Sequence, residues 1–183
     1  YVLLPLWAQS FGLNYTEAGA LKTAYSGAMA VFQMPAGVLA ERLGERALLV
    51  AGTILAGAAF AALAMAGGFI GLFLVIFVIG FGSAVQHPLA SAIISEAYGA
   101  DQRRTALGVY NFFGDVGKMI VAFAVATAAG VVGWRATAVG YGAIVAAAGI
   151  VLMLVLLRFA LGQPRVAPPG PRTEPQARSG KSG

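Results

Sequence analysis

Asp115 and Lys118 stand three residues apart in NFFGDVGKMIVAFAV (residues 111–125), a stretch that is otherwise almost wholly apolar. Side chains at that spacing share nearly one face of a helix, so the carboxylate and the ammonium can meet. In water such a pair is an ordinary surface contact. In lipid an ionisable side chain is costly, and where it occurs it marks a pathway or a binding site. Two readings stay open: the pair neutralises itself, or it faces a wet cavity and binds substrate or a coupling proton. They are compatible, because charges at membrane depth face the bundle interior even when paired. Asn111 and Tyr110, one turn earlier, extend the polar stripe.

A second group lies in GFGSAVQHPLAS (residues 80–91), which holds the only histidine of the chain. His87 precedes Pro88, and proline removes a backbone hydrogen bond and bends a helix. A kink beside a titratable imidazole suits proton-linked gating; the plainer reading is a helix–helix hydrogen bond. Gln86 and Ser83 are further polar candidates, Ser83 one turn from His87. Ser83, His87 and Asp115 are nominally a nucleophile, a base and an acid. Yet Phe81 stands two residues before Ser83, so the Gly-x-Ser motif of intramembrane serine proteases is unmet, and Ser83 and His87 share one helix. No enzyme is expected. Neither is a cofactor or a metal: no glycine-rich phosphate loop ends in Lys-Ser/Thr, and one histidine without cysteine makes a poor metal site. Lys22 falls about five residues inside its helix and is expected to snorkel to the interface.

The elements that carry these residues follow from composition. Hydrophobic residues are 59% of the 183 and charged ones 10%, with mean hydropathy +0.81. Soluble domains average roughly a quarter charged, so the expected solvent is the bilayer. The formal charge of +5 lies in short loops and the tail, which speaks against nucleic acid as a partner. The expectation is an all-α membrane protein with six transmembrane helices. The first is a truncated segment over 1–13, since a span needs about 20 residues. The others run about Glu17–Ala40, Ala47–Ala66, Phe69–Ile94, Thr105–Val131 and Ala136–Leu161. The spacing gives a six-helix unit over 1–161 and a Pro-, Gly- and Arg-rich disordered linker or tail over 162–183.

Orientation follows from basic residues. Arg42, Arg46, Arg103, Arg104, Arg158, Arg165, Arg172, Arg178 and Lys181 fall on one side, and Arg135 alone on the other. The second-to-third loop, the fourth-to-fifth loop and the tail are therefore expected in the cytoplasm, for a multi-pass protein of the plasma (inner) membrane. Helices three and six carry no charge in their cores and many small residues. They are expected to be peripheral and lipid-facing, with two, four and five central. Gly108, Gly114 and Gly117 on helix five are expected to admit close helix contact. Two triplets in this order suggest the 3+3 repeats of secondary transporters.

The loop GVLAERLGER (residues 37–46) makes the comparison specific. Gly37, Glu41, Arg42, Gly44 and Arg46 resemble the signature loop between helices two and three of the major facilitator superfamily, with Glu41 in place of the commoner Asp. That resemblance implies the N-terminal half of a twelve-helix secondary transporter working by alternating access. It implies a small-molecule substrate with a coupling proton, and as partner a C-terminal six-helix half or a second copy. It gives Gly37, Glu41, Arg42, Gly44 and Arg46 the role of a cytoplasmic latch, the acid capping a helix N-terminus of the opposite half. GFGSAVQHPLAS resembles the Gly-x-Gly…His-Pro…Ser pattern of fosmidomycin-resistance-like efflux members. Two features depart from proton-coupled drug antiporters: Val78 stands where many have a helix-four arginine, and helix five lacks their Gly-Pro motif. The alternative is a truncated or non-transporting membrane protein acting as an assembly partner.

Overall fold

Asn14 opens the first long helix. Its side-chain oxygen accepts from the Glu17 N–H at 2.9 Å, and the Glu17 carboxylate accepts from the Asn14 N–H at 2.9 Å. This reciprocal cap satisfies two donors that a helix start leaves unpaired. The computed structural model describes residues 2–163. Ahead of the cap lies α1 (Leu4–Phe11), closed by Gly12 in the left-handed region. After it come α2 (Tyr15–Leu43), α3 (Glu45–Ala62) and a 3-10 turn (Leu63–Met65). Then follow α4 (Phe69–Ser83), α5 (Gln86–Ala97), α6 (Ala100–Val132) and α7 (Trp134–Arg158). No strand is present among the described residues.

These elements form the six helical runs expected, with α4 and α5 together making the fourth. The break between them has a chemical cause. Pro88 has no N–H for the carbonyl of Ala84, and its ring crowds that carbonyl. The chain answers with a tight turn in which the Ala84 N–H donates to the Phe81 carbonyl at 3.2 Å. Among the described residues four runs are long and apolar enough to cross a membrane: Glu45–Met65, Phe69–Ala97, Ala100–Val132 and Trp134–Arg158. α2, at 29 residues, is about 43 Å long by its rise.

Two boundaries move from their expected places. α6 begins at Ala100, so Asp101, Arg103 and Arg104 form its first turns instead of a loop. The Arg103 N–H donates to the Gly99 carbonyl at 2.9 Å, and Asp101 complements the positive end of the helix dipole. The turn GWR contracts to Gly133, whose φ of +84° lets α7 start at Trp134.

The packing adds a contact that composition did not announce: α3 and α7 share the most extensive helix interface of this bundle, and α3 also lies along α4. The cause is glycine: a Cβ on Gly57 would stand 2.6 Å from Ala146 N and 2.8 Å from Gly142 O. The backbones touch because those residues have no side chain. α6 is the least buried of the candidate spans among the described residues, with Ala129 its only buried residue, so most of its surface is open in this half. Gly108, Gly114 and Gly117 meet nothing within 4 Å, so the close contacts expected of them are absent from this bundle.

Apolar side chains gather in two clusters. One, at the α1 end, holds Trp7, Leu21, Leu63, Leu72, Ile79 and Trp134. The other, by the α2–α3 turn, holds Ala36, Leu49, Val85, Leu89, Ile93 and Leu156. After α7 the chain folds back, and the Arg46 N–H donates to the Gly162 carbonyl at 2.9 Å. Beyond Gln163 the expected tail lies outside the described residues.

Candidate functional site

The Lys118 ammonium sits 2.8 Å from Asp115 Oδ1. The spacing of three in α6 fixes this contact, as the sequence requires. Both side chains are open, Lys118 at 64% and Asp115 at 74% of full exposure. The pair therefore lies on the uncovered face of α6 rather than within the bundle. From Arg104 to Asp115 is about 16 Å of helical rise, roughly half of a 30 Å hydrocarbon layer.

Lys118 also stands at the edge of a cavity of about 540 Å³, and Asp115 does not line it. The walls come from α1, α2, α3, α4, α6 and α7, including Trp7, Lys22, Tyr25, Phe60, Lys118 and Tyr141. The volume is in the range of small-ligand sites. The lining is mostly apolar, with the two lysines, two tyrosines and Thr137 as its polar members and no carboxylate. Trp7 Nε1 is buried beside it without an acceptor among the described residues. Thr137 is already occupied, its hydroxyl donating to the Gly133 carbonyl at 2.9 Å.

Lys22 is exposed and lines the cavity together with Lys118. Its signal in the sequence was the cation itself, inside a helix that also carries Tyr25 one turn on. Tyr141 and Trp7 had no such signal, because an aromatic residue in an apolar helix is ordinary core.

The second polar group separates. His87 is exposed in the first turn of α5, Gln86 is half-buried, and Asn111 is exposed on α6. None of the three lines the cavity.

The GVLAERLGER loop divides into an outer and an inner part. Gly37, Glu41 and Arg42 are exposed along the last turns of α2, and a Cβ on Gly37 would meet nothing within 4 Å. Gly44 is buried at the helix junction with φ +86°, a conformation suited to glycine. Arg46 is half-buried and tied to Gly162 through its backbone. Between them Glu45 is buried in the first turn of α3, where a carboxylate complements the helix dipole. Sequence reading passed over it because it lies between motif positions.

At the opposite end, Arg135 gathers three elements. Its guanidinium donates to the carbonyls of Ala64 and, at 3.1 Å, Ala66. It also lies 4.5 Å from the Trp134 ring centroid and 5.8 Å from that of Phe11. Trp134 Nε1 in turn donates to Ser10 Oγ at 3.2 Å.

Comparison with known proteins places this geometry. The chain is 29% identical over 127 residues to a protein of Escherichia coli named a probable L-galactonate transporter, covering 69% of this chain and 28% of that protein. It is 25% identical over 143 residues to the probable sulfoacetate transporter SauU of Cupriavidus necator, covering 78% of this chain and 33% of the relative. The chain thus spans about a third or less of these relatives. Among solved structures it resembles the peptide transporter POT in complex with alafosfalin, with a TM-score of 0.74 and 22% identity, over 86% of this chain and 34% of that one. The same transporter with sulfate gives a TM-score of 0.71 at 23% identity, a likeness of fold. These relatives are named as transporters, not enzymes. The family profile described as Major Facilitator Superfamily matches residues 1–182, and the chain belongs to that superfamily.

Proposed function

We propose that this chain forms the N-terminal six-helix half of a secondary active transporter that moves a small solute by alternating access. The observation that carries the reading is the 540 Å³ cavity, walled by apolar side chains and edged by two lysines. Groups that bind a polar solute within an apolar wall are what transport through a bilayer requires. Lys118 and Asp115 take part in solute binding or proton coupling, with His87, Asn111 and Gln86 shaping their surroundings. Gly37, Glu41 and Arg42 lie uncovered on α2, where an opposing helical half can close against them as a latch. The GVLAERLGER side of the molecule faces the cytoplasm.

The relatives' names suggest solutes to try. The test is uptake of labelled L-galactonate and sulfoacetate into proteoliposomes holding the full-length protein, with and without a proton gradient. Asp115→Asn and Lys118→Ala are each expected to lower the rate at least tenfold. Undiminished rates in both would remove the pair from the mechanism. Absence of solute movement under any gradient would favour a non-transporting assembly partner.

A further inference from the structure

We infer that residues 160–162 form a strap that fixes the start of α3, and with it the GVLAERLGER turn, to the end of α7. The inference goes beyond the transport reading, because it concerns what holds the turn in place. α7 closes in a left-handed cap. The Ala160 N–H donates to the Leu157 carbonyl at 3.2 Å, and the Leu161 N–H to the Leu156 carbonyl at 3.0 Å. This pair of bonds reverses the chain through a left-handed residue, most often glycine. Here the residue is Ala160 at φ +53°, the one non-glycine with positive φ among the described residues. An alanine is held there against its own preference, so its surroundings must impose the turn.

Those surroundings are on both sides of the strap. Leu161 packs with Leu156 against the cluster that also holds Leu49, Leu89 and Ile93. Gln163 Nε2 donates to the Ala160 carbonyl at 3.3 Å. The Gly162 carbonyl accepts from the Arg46 N–H at 2.9 Å. Arg46 is the second residue of α3, and the first N–H groups of a helix have no acceptor within it. The strap thus brings from α7 an acceptor that α3 lacks, and a carbonyl oxygen suits the positive end of the α3 dipole. Glycine is required at 162: φ is +64°, and a Cβ would stand 2.8 Å from Arg46 N and 3.1 Å from Ile93 Cδ1. α3, α5 and α7 therefore meet at one buried glycine.

The consequence lies at Gly44. It is the single residue between α2 and α3, with φ +86°, and such junctions are where hinges form. With α3 strapped on one side of this hinge, displacement of Glu41 and Arg42 has to come from the α2 side.

The test is hydrogen–deuterium exchange of the full-length protein in detergent, read by mass spectrometry over residues 44–50 and 156–163, with α4 as reference. Gly162→Val is expected to speed exchange over both segments about tenfold more than over α4, as a lost local closure does. Leu161→Ala keeps the backbone and removes the apolar anchor, and it is expected to act in the same direction. Ala160→Gly relieves the left-handed alanine and is expected to leave both segments at least as protected as in the native chain. If exchange over 44–50 rises no more than over α4 in both Gly162→Val and Leu161→Ala, the inference is overturned, because α3 then holds its start without the strap. Faster exchange over 44–50 in Ala160→Gly would overturn it equally. Transport is read apart: if the strap behaves as expected and proteoliposomes move no solute, the strap stands and the proposed function falls.

Discussion

Arg135 shows how much one residue can organise when its neighbours offer only carbonyls and rings. Its fork of N–H donors reaches the carbonyls of Ala64 and Ala66, in and just after the 3-10 turn that follows α3, and its plane lies against Trp134 and Phe11. Lysine, a compact point charge, can replace neither the fork nor the stacking. Arg135→Ala is expected to cost about 1–2 kcal/mol from lost charged hydrogen bonds and cation–π contacts. It should appear as a thermal midpoint lower by several degrees in detergent, and Arg135→Lys should recover less than half. An unchanged midpoint in the alanine variant would mean that the contacts are incidental. In sequence, Arg135 read only as the lone basic residue on its side, because its partners are backbone groups more than sixty positions away.

At the scale of elements, the glycines separate what the sequence reveals from what it hides. That α3 and α7 are helices is legible from unbroken apolar runs. That they adhere to each other is not, because small residues suit a lipid-facing helix and a tight interface equally. Gly57 and Gly142 decide the matter only in three dimensions. Gly57→Val should therefore cost about 3 kcal/mol or more, since backbone atoms cannot move aside. Gly114→Ala, with open space around it, should gain about 0.5–1 kcal/mol from helix propensity. Thermal melts of the two purified variants would show the midpoint moving in opposite directions. A loss at Gly114 would indicate that this face of α6 is covered by another helix in the intact protein. The kink at Ala84–Val85 was legible, as Pro88 announces it. The start of α6 was not, because polar residues such as Asp101 and Arg104 fit a loop and a helix end alike.

For the whole molecule, the asymmetry of basic residues and the position of the cavity imply a vectorial arrangement. Lys22 is about 10 Å of helical rise from the α2 start, on the side of Asn14 and Arg135, whereas Glu41, Arg42 and Arg103 lie on the other. If basic residues orient the chain, the lysine-edged cavity approaches the outer face and the GVLAERLGER turn the cytoplasm. This chain contains no cysteine, so single substitutions within it add labels without background from its own residues. Tyr15, at 98% exposure beside the α2 cap, and Glu41, exposed near its far end, bracket the same helix. A membrane-impermeant maleimide is expected to modify Tyr15→Cys in right-side-out vesicles and Glu41→Cys only in inside-out ones. The reverse pattern would invert the orientation but leave the cavity chemistry intact. Labelling of both positions from one side would mean that α2 does not cross the bilayer, and the division of the molecule into an outer binding end and an inner latch would have to be abandoned.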